Sequence, residues 1–100
     1  MGDTADLLIT VHEIEGTCPV YQQGDRFCVT EGFKLKTDRT LCMHSLTSIL
    51  PYYITLSKGT PPGKLGLGEG HTAFVQCLDP CNYTGGGTGR FKITQEKQNG

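Results

Sequence analysis

One stretch of this chain repeats its apolar residues at helical spacing, and this limits the fold to one main helix. The repeat advances by three or four residues at each step, which is typical of an amphipathic helix with one face on a core. Its members are Cys42, Leu46, Ile49, Tyr53 and Leu56. This spacing places Cys42 on the core side, at the start of the helix.

The ends of this helix carry local signals. Asp38 or Thr40 can cap its beginning, and Lys58-Gly59 is a suitable end. Pro51 lies inside the repeat, where it removes a backbone donor and crowds the preceding turn. We therefore expect a kink at Pro51 or a second short helix that begins there.

Short segments with alternating apolar residues lie on both sides of the helix. They cover residues 7–14, 26–30, 72–78 and 90–94, and turn signals such as Gly16 and Gly24-Asp25 separate or end them. The first two segments are expected to pair as antiparallel strands. The order ββαββ predicts an α+β fold, in which a small antiparallel sheet of about four strands packs against one kinked helix.

Length and composition predict a single domain over residues 1–100. Its core is expected at about residues 7–94, followed by a flexible polar tail at 95–100. The apolar fraction is only 36% and the chain has 14 glycines, which indicates a modest core with long irregular loops.

Charge and hydropathy argue against two classes of partner. The net charge is −1 and no basic cluster is present, so we expect no nucleic-acid binding. No apolar stretch reaches the 18 or so residues that a membrane span needs, so we expect no membrane. The first residues lack the basic and apolar regions of a signal peptide, which predicts a cytoplasmic protein. The partner is then an unidentified protein or a second copy of the chain.

Five cysteines are the residues best suited to chemistry. An odd number without a secretion signal favours free thiols, metal ligands or buried core cysteines over a disulfide framework. Cys18 follows a predicted strand, Cys42 begins the helix and Cys77 ends another strand, and no local C-x-x-C spacing pairs them. If these three converge, their thiolates could hold zinc or an iron–sulfur cluster, with a fourth ligand from His44, Cys81 or a small molecule.

Two alternatives to a metal site remain open. Free cysteine is often buried and packs as a small apolar side chain, which would make the domain a structural or interaction module. Alternatively, the domain could be a thiol enzyme or redox protein with Cys42 or Cys18 as the nucleophile, and Cys42 has the advantage of a helix N-terminus with His44 nearby. Residues two apart on a helix point in different directions, so His44 would not easily bond to Cys42.

The glycine-rich segments do not match phosphate-binding loops. Residues 66–70 lack the dinucleotide-binding spacing, and residues 59–64 lack the Ser or Thr that follows the lysine in a P-loop. Residues 85–87 precede a strand and not a helix. No acidic pair suggests general acid–base catalysis, and no motif points to a particular reaction.

Several short motifs together resemble one known family. They are Gly16-Thr17-Cys18-Pro19, Gly24-Asp25-Arg26-Phe27, Leu41-Cys42-Met43-His44, Leu50-Pro51-Tyr52-Tyr53, Gln76-Cys77-Leu78-Asp79-Pro80 and Tyr83-Thr84-Gly85-Gly86-Gly87. The chain resembles a family of small, functionally uncharacterised bacterial and archaeal proteins, frequent in anaerobes, whose domain occurs singly or as a tandem repeat.

The resemblance spans residues 7–94 and implies a site built from Cys18, Cys42 and Cys77. Cys28 and Cys81 fall outside the family pattern. The anaerobic setting of the family would suit reduced thiols or an iron–sulfur centre. We therefore predict a metal- or cluster-binding domain, with Pro19 and Pro80 stiffening the ligand loops.

Overall fold

The computed structural model describes residues 4–79, 81 and 83–97, and these form one antiparallel sheet with one α-helix. In chain order the elements are β1 Ala5–Gly16, β2 Arg26–Thr30, β3 Lys34–Lys36, α1 Met43–Ser57, a 3-10 helix Pro62–Leu65, β4 Gly68–Glu69, β5 Thr72–Gln76 and β6 Gly87–Lys97. The sheet has the spatial order β3-β2-β1-β6-β5-β4.

The α+β class with a single α-helix and an antiparallel sheet is confirmed, but the strand count is larger than predicted. The four predicted strands correspond to β1, β2, β5 and β6. The additional strands β3 and β4, of three and two residues, lie at the two edges of the sheet. Segments this short cannot show the alternation that identifies a strand in a sequence.

Strand β6 also extends further than expected. Gln95 pairs with Leu7 and Lys97 pairs with Ala5, although residues 95–97 were predicted to begin a polar tail. The long strand β1 offers pairing partners to all three residues, and the Gln95 N–H also donates to the His71 carbonyl at 2.8 Å; these backbone bonds outweigh the polar character of the segment. Residues 98–100 of the predicted tail lie outside the described part of the chain.

A β-bulge at His12 changes the direction of the second half of β1. Val11 pairs with Phe91, whereas Glu13 pairs with Arg90, so His12 is an extra residue on β1. A bulge of this kind bends the strand and changes which side chains face the core. The strand then continues to Gly16, which lies opposite Gly87 at the start of β6.

Helix α1 begins at Met43, and Cys42 occupies the N-cap position. Neither Asp38 nor Thr40 is the N-cap, so the predicted caps are wrong. The helix runs through Pro51 as one element to Ser57, and no second helix begins at the proline. Its predicted inner stripe is borne out at Ile49 and Leu56, which are both buried.

The core lies between α1 and one face of the sheet. It consists of alternate residues of β1, β2, β5 and β6 together with the helix stripe and Tyr21. Its buried apolar members are Leu7, Ile9, Val11, Tyr21, Phe27, Val29, Ile49, Leu56, Ala73, Val75, Phe91 and Ile93. Among the described residues, no helix has the length and apolar character needed to cross a membrane.

Candidate metal and thiol site

Four elements meet at one end of the sheet. Strands β1 and β5 both pair antiparallel with β6, so they run in the same direction and their last residues lie at the same end of the sheet. Cys18 follows the end of β1 by two residues, and Cys77 follows β5 directly. Cys42 directly precedes α1. The topology therefore carries three distant segments of the chain towards one place.

These three cysteines line a single cavity of about 310 Å³. His44 and Asp79 contribute to the same lining, together with glycines from the start of β6. The remaining lining residues are Pro19, Val20, Tyr21, Ser45, Gly86, Gly87, Gly89 and Phe91. Cys18, Cys42 and Cys77 are half-buried and pack against the core.

The other two cysteines lie elsewhere. Cys28 lies in β2, opposite Leu8 of β1 and Lys36 of β3. Cys81 does not line the cavity, and its thiol donates weakly to the carbonyls of Glu15 and Gly86, at 3.5 Å each. Of the two candidates for a fourth ligand, His44 is thus at the cavity and Cys81 is not.

The three thiols surround the cavity without meeting at one point. Within residues 4–79, 81 and 83–97, no group of three His, Cys, Asp or Glu side chains is close enough to hold a metal ion. A zinc ion needs its sulfur ligands at about 2.3 Å. The described side chains therefore do not form a closed site for a single ion.

The Tyr21 phenol joins the Cys18 loop to the start of α1. The Cys42 backbone N–H donates to Tyr21 Oη at 2.9 Å, and Ser45 Oγ donates to the Cys42 carbonyl at 2.7 Å. Tyr21 Oη lies 2.7 Å from Ser45 Oγ. Because the serine hydrogen is used on the carbonyl, the tyrosine must donate to the serine, and the three groups form a closed ring.

This ring replaces the predicted helix cap. Cys42 has no side-chain capping bond, and no acidic residue lies in the first turn of α1. The free N–H groups of that turn carry a partial positive charge, which favours an anion such as a thiolate. Tyr21 and Ser45 are both buried, so the hydrogen bond between their hydroxyls is shielded from solvent.

The Cys18 sulfur already accepts a hydrogen bond. The backbone N–H of Tyr21 donates to Cys18 Sγ at 3.3 Å. Hydrogen bonds to sulfur stabilise a thiolate, and in metal centres they adjust the reduction potential. One tyrosine therefore contacts two of the three cysteines, one through its backbone and the other through its side chain.

The glycine-rich segment lets β6 approach the Cys18 loop closely. A Cβ atom on Gly87 would lie 2.5 Å from the carbonyl carbon and oxygen of Thr17 and 2.7 Å from the Cys18 nitrogen. No side chain fits there, because real Cβ atoms do not approach backbone so closely. The glycines act through close packing at the cavity wall.

Asp79 organises the loop between β5 and β6. Its Oδ1 accepts hydrogen bonds from the Cys81 N–H, at 3.0 Å, and from the Thr84 hydroxyl, while its carbonyl accepts one from the buried Thr88. The Asp79 carboxylate is thus held at the cavity wall. Pro80, which was predicted to stiffen this loop, lies outside the described residues, whereas Pro19 lines the cavity.

Arg90, in β6, binds two glutamates near the end of β1. Its guanidinium bonds to Glu15 at 2.6 Å and to Glu13 at 2.7 Å. The hydrogen bond to Glu15, followed by that to Glu13, raises the pKa of Arg90 above its ordinary value. These two ion pairs hold the last residues of β1, which lead into Cys18, against β6.

The sequence did not single out Tyr21, Asp79 and Gly87 as parts of the site. Tyr21 lies in a loop, where an aromatic residue carries no periodic signal. Asp79 could have been noticed through its place two residues after Cys77, and Gly87 as the last of three consecutive glycines. Their roles depend on contacts between distant segments, which local patterns do not encode.

Comparisons of the chain with protein-family models, with curated proteins and with solved structures find no match. The family resemblance of the motifs therefore stays a prediction, and a function has to be inferred from the residues of the cavity.

Proposed function

We propose that this domain binds an iron–sulfur cluster in the cavity, with Cys18, Cys42 and Cys77 as cysteine ligands. The observation that carries the proposal is that these three thiols, from three separate segments, line one cavity. Thiolates are the usual ligands of such clusters. The other two cysteines, Cys28 and Cys81, are absent from its lining and serve as internal controls.

The spacing of the thiols favours a cluster over a single zinc ion. In a zinc site all sulfurs bind one atom and must come close together, and no described group is so arranged. In a [4Fe–4S] cluster each thiolate binds a different iron atom, so the ligand sulfurs lie further apart than they do around one zinc ion. A cavity of about 310 Å³ between three thiols suits that arrangement better.

His44 is the protein group best placed for the remaining ligand position. It lines the cavity from the first turn of α1, one residue beyond Met43, whereas Cys81 bonds to backbone carbonyls outside the lining. Histidine replaces cysteine in some iron–sulfur centres and raises their potential. The N–H groups at the start of α1 and the Tyr21 N–H would stabilise the negative charge of the bound thiolates.

The test is metal and sulfide analysis, with an optical spectrum, of protein purified without oxygen or chelator. We expect iron and acid-labile sulfide in near-stoichiometric amounts, with broad visible absorption. Serine substitution of Cys18, Cys42 or Cys77, one at a time, should each abolish or strongly reduce the iron content. Cys28→Ser is the matched control and should retain it.

Different results lead to different conclusions. Zinc without iron, lost in the same three variants, would replace the cluster by a zinc centre that forms when the cavity closes. Folded protein without any metal, after reconstitution with iron and sulfide, would contradict the proposal. Equal loss in Cys28→Ser would show that iron binds nonspecifically to thiols.

A second candidate is thiol redox chemistry at Cys42. The observation that favours it is the N-cap position of Cys42, where the free N–H groups of α1 favour a thiolate. In metal-free protein, Cys42 should then react with iodoacetamide faster than Cys28, as measured by mass spectrometry of peptides. Uniformly slow alkylation of all cysteines would exclude this function.

The remaining alternative is a structural role for the cysteines. Cys18, Cys42 and Cys77 pack against the core, as small apolar side chains do. Under this alternative each serine variant loses about 1–3 kcal/mol of unfolding free energy, while metal content is zero in every variant.

A further inference from the structure

Helix α1 is unusual in its lack of acidic and basic side chains, with one histidine, His44, near its start. Residues 43–57 include no Asp, Glu, Lys or Arg. A helix that covers one face of a sheet normally presents charged side chains to water on its other face. Here the outward face has Met43, Leu50 and Ile54, whose exposed fractions are 67%, 52% and 55%.

These exposed residues form a second stripe along the helix. Met43, Thr47, Leu50 and Ile54 follow one another at steps of four, three and four residues, which keeps them on one face. The inner stripe already packs on the sheet through Ile49 and Leu56. The helix is therefore apolar on two faces, and the sheet covers only one of them.

An apolar groove lies beside the outer stripe, between α1 and the β2–β3 hairpin. Its volume is about 160 Å³, and its walls include Leu46, Ile49 and Leu50 from the helix. Phe33 and Leu35 line the hairpin side, and Phe33 is 71% exposed. The same surface thus has projecting apolar side chains and a recess that could receive them.

We propose that this surface, the outer face of α1 with Phe33 and Leu35, binds a second copy of the chain in a two-fold symmetric dimer. A two-fold interface needs one surface that is complementary to itself, with a projection and a recess together. Leu50 or Phe33 of one copy can enter the groove of the other, while the two α1 helices lie against each other. The dimer then has four layers, sheet, helix, helix and sheet.

The size of the surface fits this partner. Phe33, Leu35, Leu50 and Ile54 expose on the order of 400 Å² of apolar area, near the largest patch of a typical monomer. A standard interface buries roughly 800 Å² on each side, with an apolar centre and a polar rim. The four side chains are enough for such a centre.

The charges favour a second copy over other partners. The chain has a net charge of −1, and Lys34 at the rim is paired with Glu31 at 2.8 Å, so two copies repel each other little. A different protein partner is commonly selected by complementary charge, which the outer stripe lacks. Helices that lie on membranes carry Lys or Arg along their polar face, and α1 has none.

The edge strand β3 is a less suitable contact. Antiparallel pairing of two β3 strands around Leu35 would place Lys34 of one copy opposite Lys36 of the other. Like charges directly opposite destabilise a strand pair, and lysine at an edge discourages such pairing. The interface is therefore assigned to the helix face and not to the edge of the sheet.

The test is sedimentation velocity of the full chain over a wide concentration range. We expect the wild-type protein to shift from monomer to dimer as concentration rises. In the variant with both Leu50→Arg and Ile54→Arg, like charges meet across the two-fold axis, and the protein should remain monomeric throughout. Tyr83→Arg changes an exposed aromatic residue that does not line the groove, and should leave the dimer intact.

Circular dichroism and thermal unfolding of each variant confirm that it is folded. If the double variant fails to fold, the single substitution Ile54→Lys takes its place, with the same expected loss of dimer. A wild-type chain that stays monomeric at every concentration, or a dimer that survives in the folded helix variant, would overturn the proposal. So would a monomer that cosediments with phosphatidylcholine vesicles and releases them after Ile54→Lys, because the occupant would then be a lipid surface.

Discussion

Tyr21 connects the two sides of the cavity through a single phenol oxygen. Its hydroxyl accepts from the Cys42 N–H and faces Ser45, and its ring packs edge-on against Phe91, with centroids 5.6 Å apart. The ring is a core residue, while the hydroxyl supplies the cap that Cys42 itself lacks. The position of Cys42 relative to Cys18 therefore depends on one side chain.

We expect Tyr21→Phe to lower the free energy of unfolding by about 1–3 kcal/mol. The phenylalanine keeps the ring packing but removes the acceptor of the Cys42 N–H and the donor to Ser45 Oγ, which retains only its bond to the Cys42 carbonyl, and an unpaired N–H in a half-buried place is costly. Denaturation by urea measures the effect. Tyr83→Phe is the control, since Tyr83 is 91% exposed and should change stability little. Equal stability of wild type and Tyr21→Phe would show that water replaces the phenol.

A second prediction for a single residue concerns Gly87. Gly87→Ala forces a Cβ atom against the backbone of Thr17 and Cys18, so either β6 or the cysteine loop must move. We expect a loss of about 1–3 kcal/mol in unfolding free energy, as for an overpacked site, together with a lower iron content. Metal analysis and denaturation measure the two effects separately.

Gly63→Ala is the matched control for Gly87→Ala. A Cβ on Gly63 would meet only the Gly68 carbonyl oxygen, at the ordinary distance of 3.4 Å. This variant should retain both iron and stability. A Gly87→Ala protein that binds iron as well as the wild type would contradict the view that the glycine positions Cys18.

At the scale of elements, the C-terminal end of α1 is fastened by strand β6. The side-chain amide of Gln95 donates to the carbonyls of Leu56, at 3.0 Å, and Thr60, at 2.8 Å. The Leu56 carbonyl also accepts a hydrogen bond from the Gly59 N–H, at 3.0 Å, so Gln95 adds a second donor there and supplies one to Thr60, which lies just beyond the helix. A residue predicted to lie in a tail thus ties the helix to the sheet.

Gln95→Leu should therefore destabilise the protein by about 1–3 kcal/mol, the sum of two lost hydrogen bonds. The unfolding midpoint in urea is the measurement. Gln22→Leu is the control, because Gln22 is exposed and bonds to Asp25 through its backbone N–H. If Gln95→Leu has the same unfolding midpoint as Gln22→Leu and the wild type, Gln95 does not stabilise the end of the helix.

The helix shows how much local patterns predict and where they stop. Its inner stripe and its end near Lys58 follow from spacing and composition, because burial of one face imposes a period on the sequence. Its beginning does not, because the group that satisfies the Cys42 N–H is Tyr21, which lies in a distant loop. Local rules favour Asp38 or Thr40 as the N-cap, but the N-cap is Cys42.

In the strands and in the site, too, local patterns predict some features and miss others. Alternation identifies β1, β2, β5 and β6, whereas β3 and β4 are too short to alternate and the end of β6 is polar. The sequence singled out Cys18, Cys42 and Cys77 as candidates, and all three line the cavity. The contacts of Tyr21 and Asp79 at the cavity follow from the topology, because antiparallel pairing on both sides of β6 decides which loops are neighbours.

On the scale of the whole molecule, the cavity is the place where separate parts of the chain depend on one another. Its lining includes residues next to the ends of β1 and β5 and residues at the starts of β6 and α1. The described strand pairing holds β1, β5 and β6 together, but the start of α1 is outside the sheet. A group bound by Cys18, Cys42 and Cys77 would act as a cross-link among these segments. Because the unfolded chain has no preformed site, binding free energy would add to folding free energy.

We therefore expect cluster loading to raise the unfolding midpoint and to protect one end of the sheet selectively. Hydrogen exchange measured by mass spectrometry should slow in residues 17–21, 42–46 and 77–89, which contain the ligands and the cavity wall. Exchange in the β2–β3 hairpin, residues 26–36, should change little, because the hairpin contributes nothing to the lining. The loaded Cys28→Ser variant should repeat this pattern, and Cys77→Ser should show none of it. Uniform protection along the chain would mean that iron stabilises the protein without a defined site, and protection centred on the hairpin would locate the metal away from the cavity.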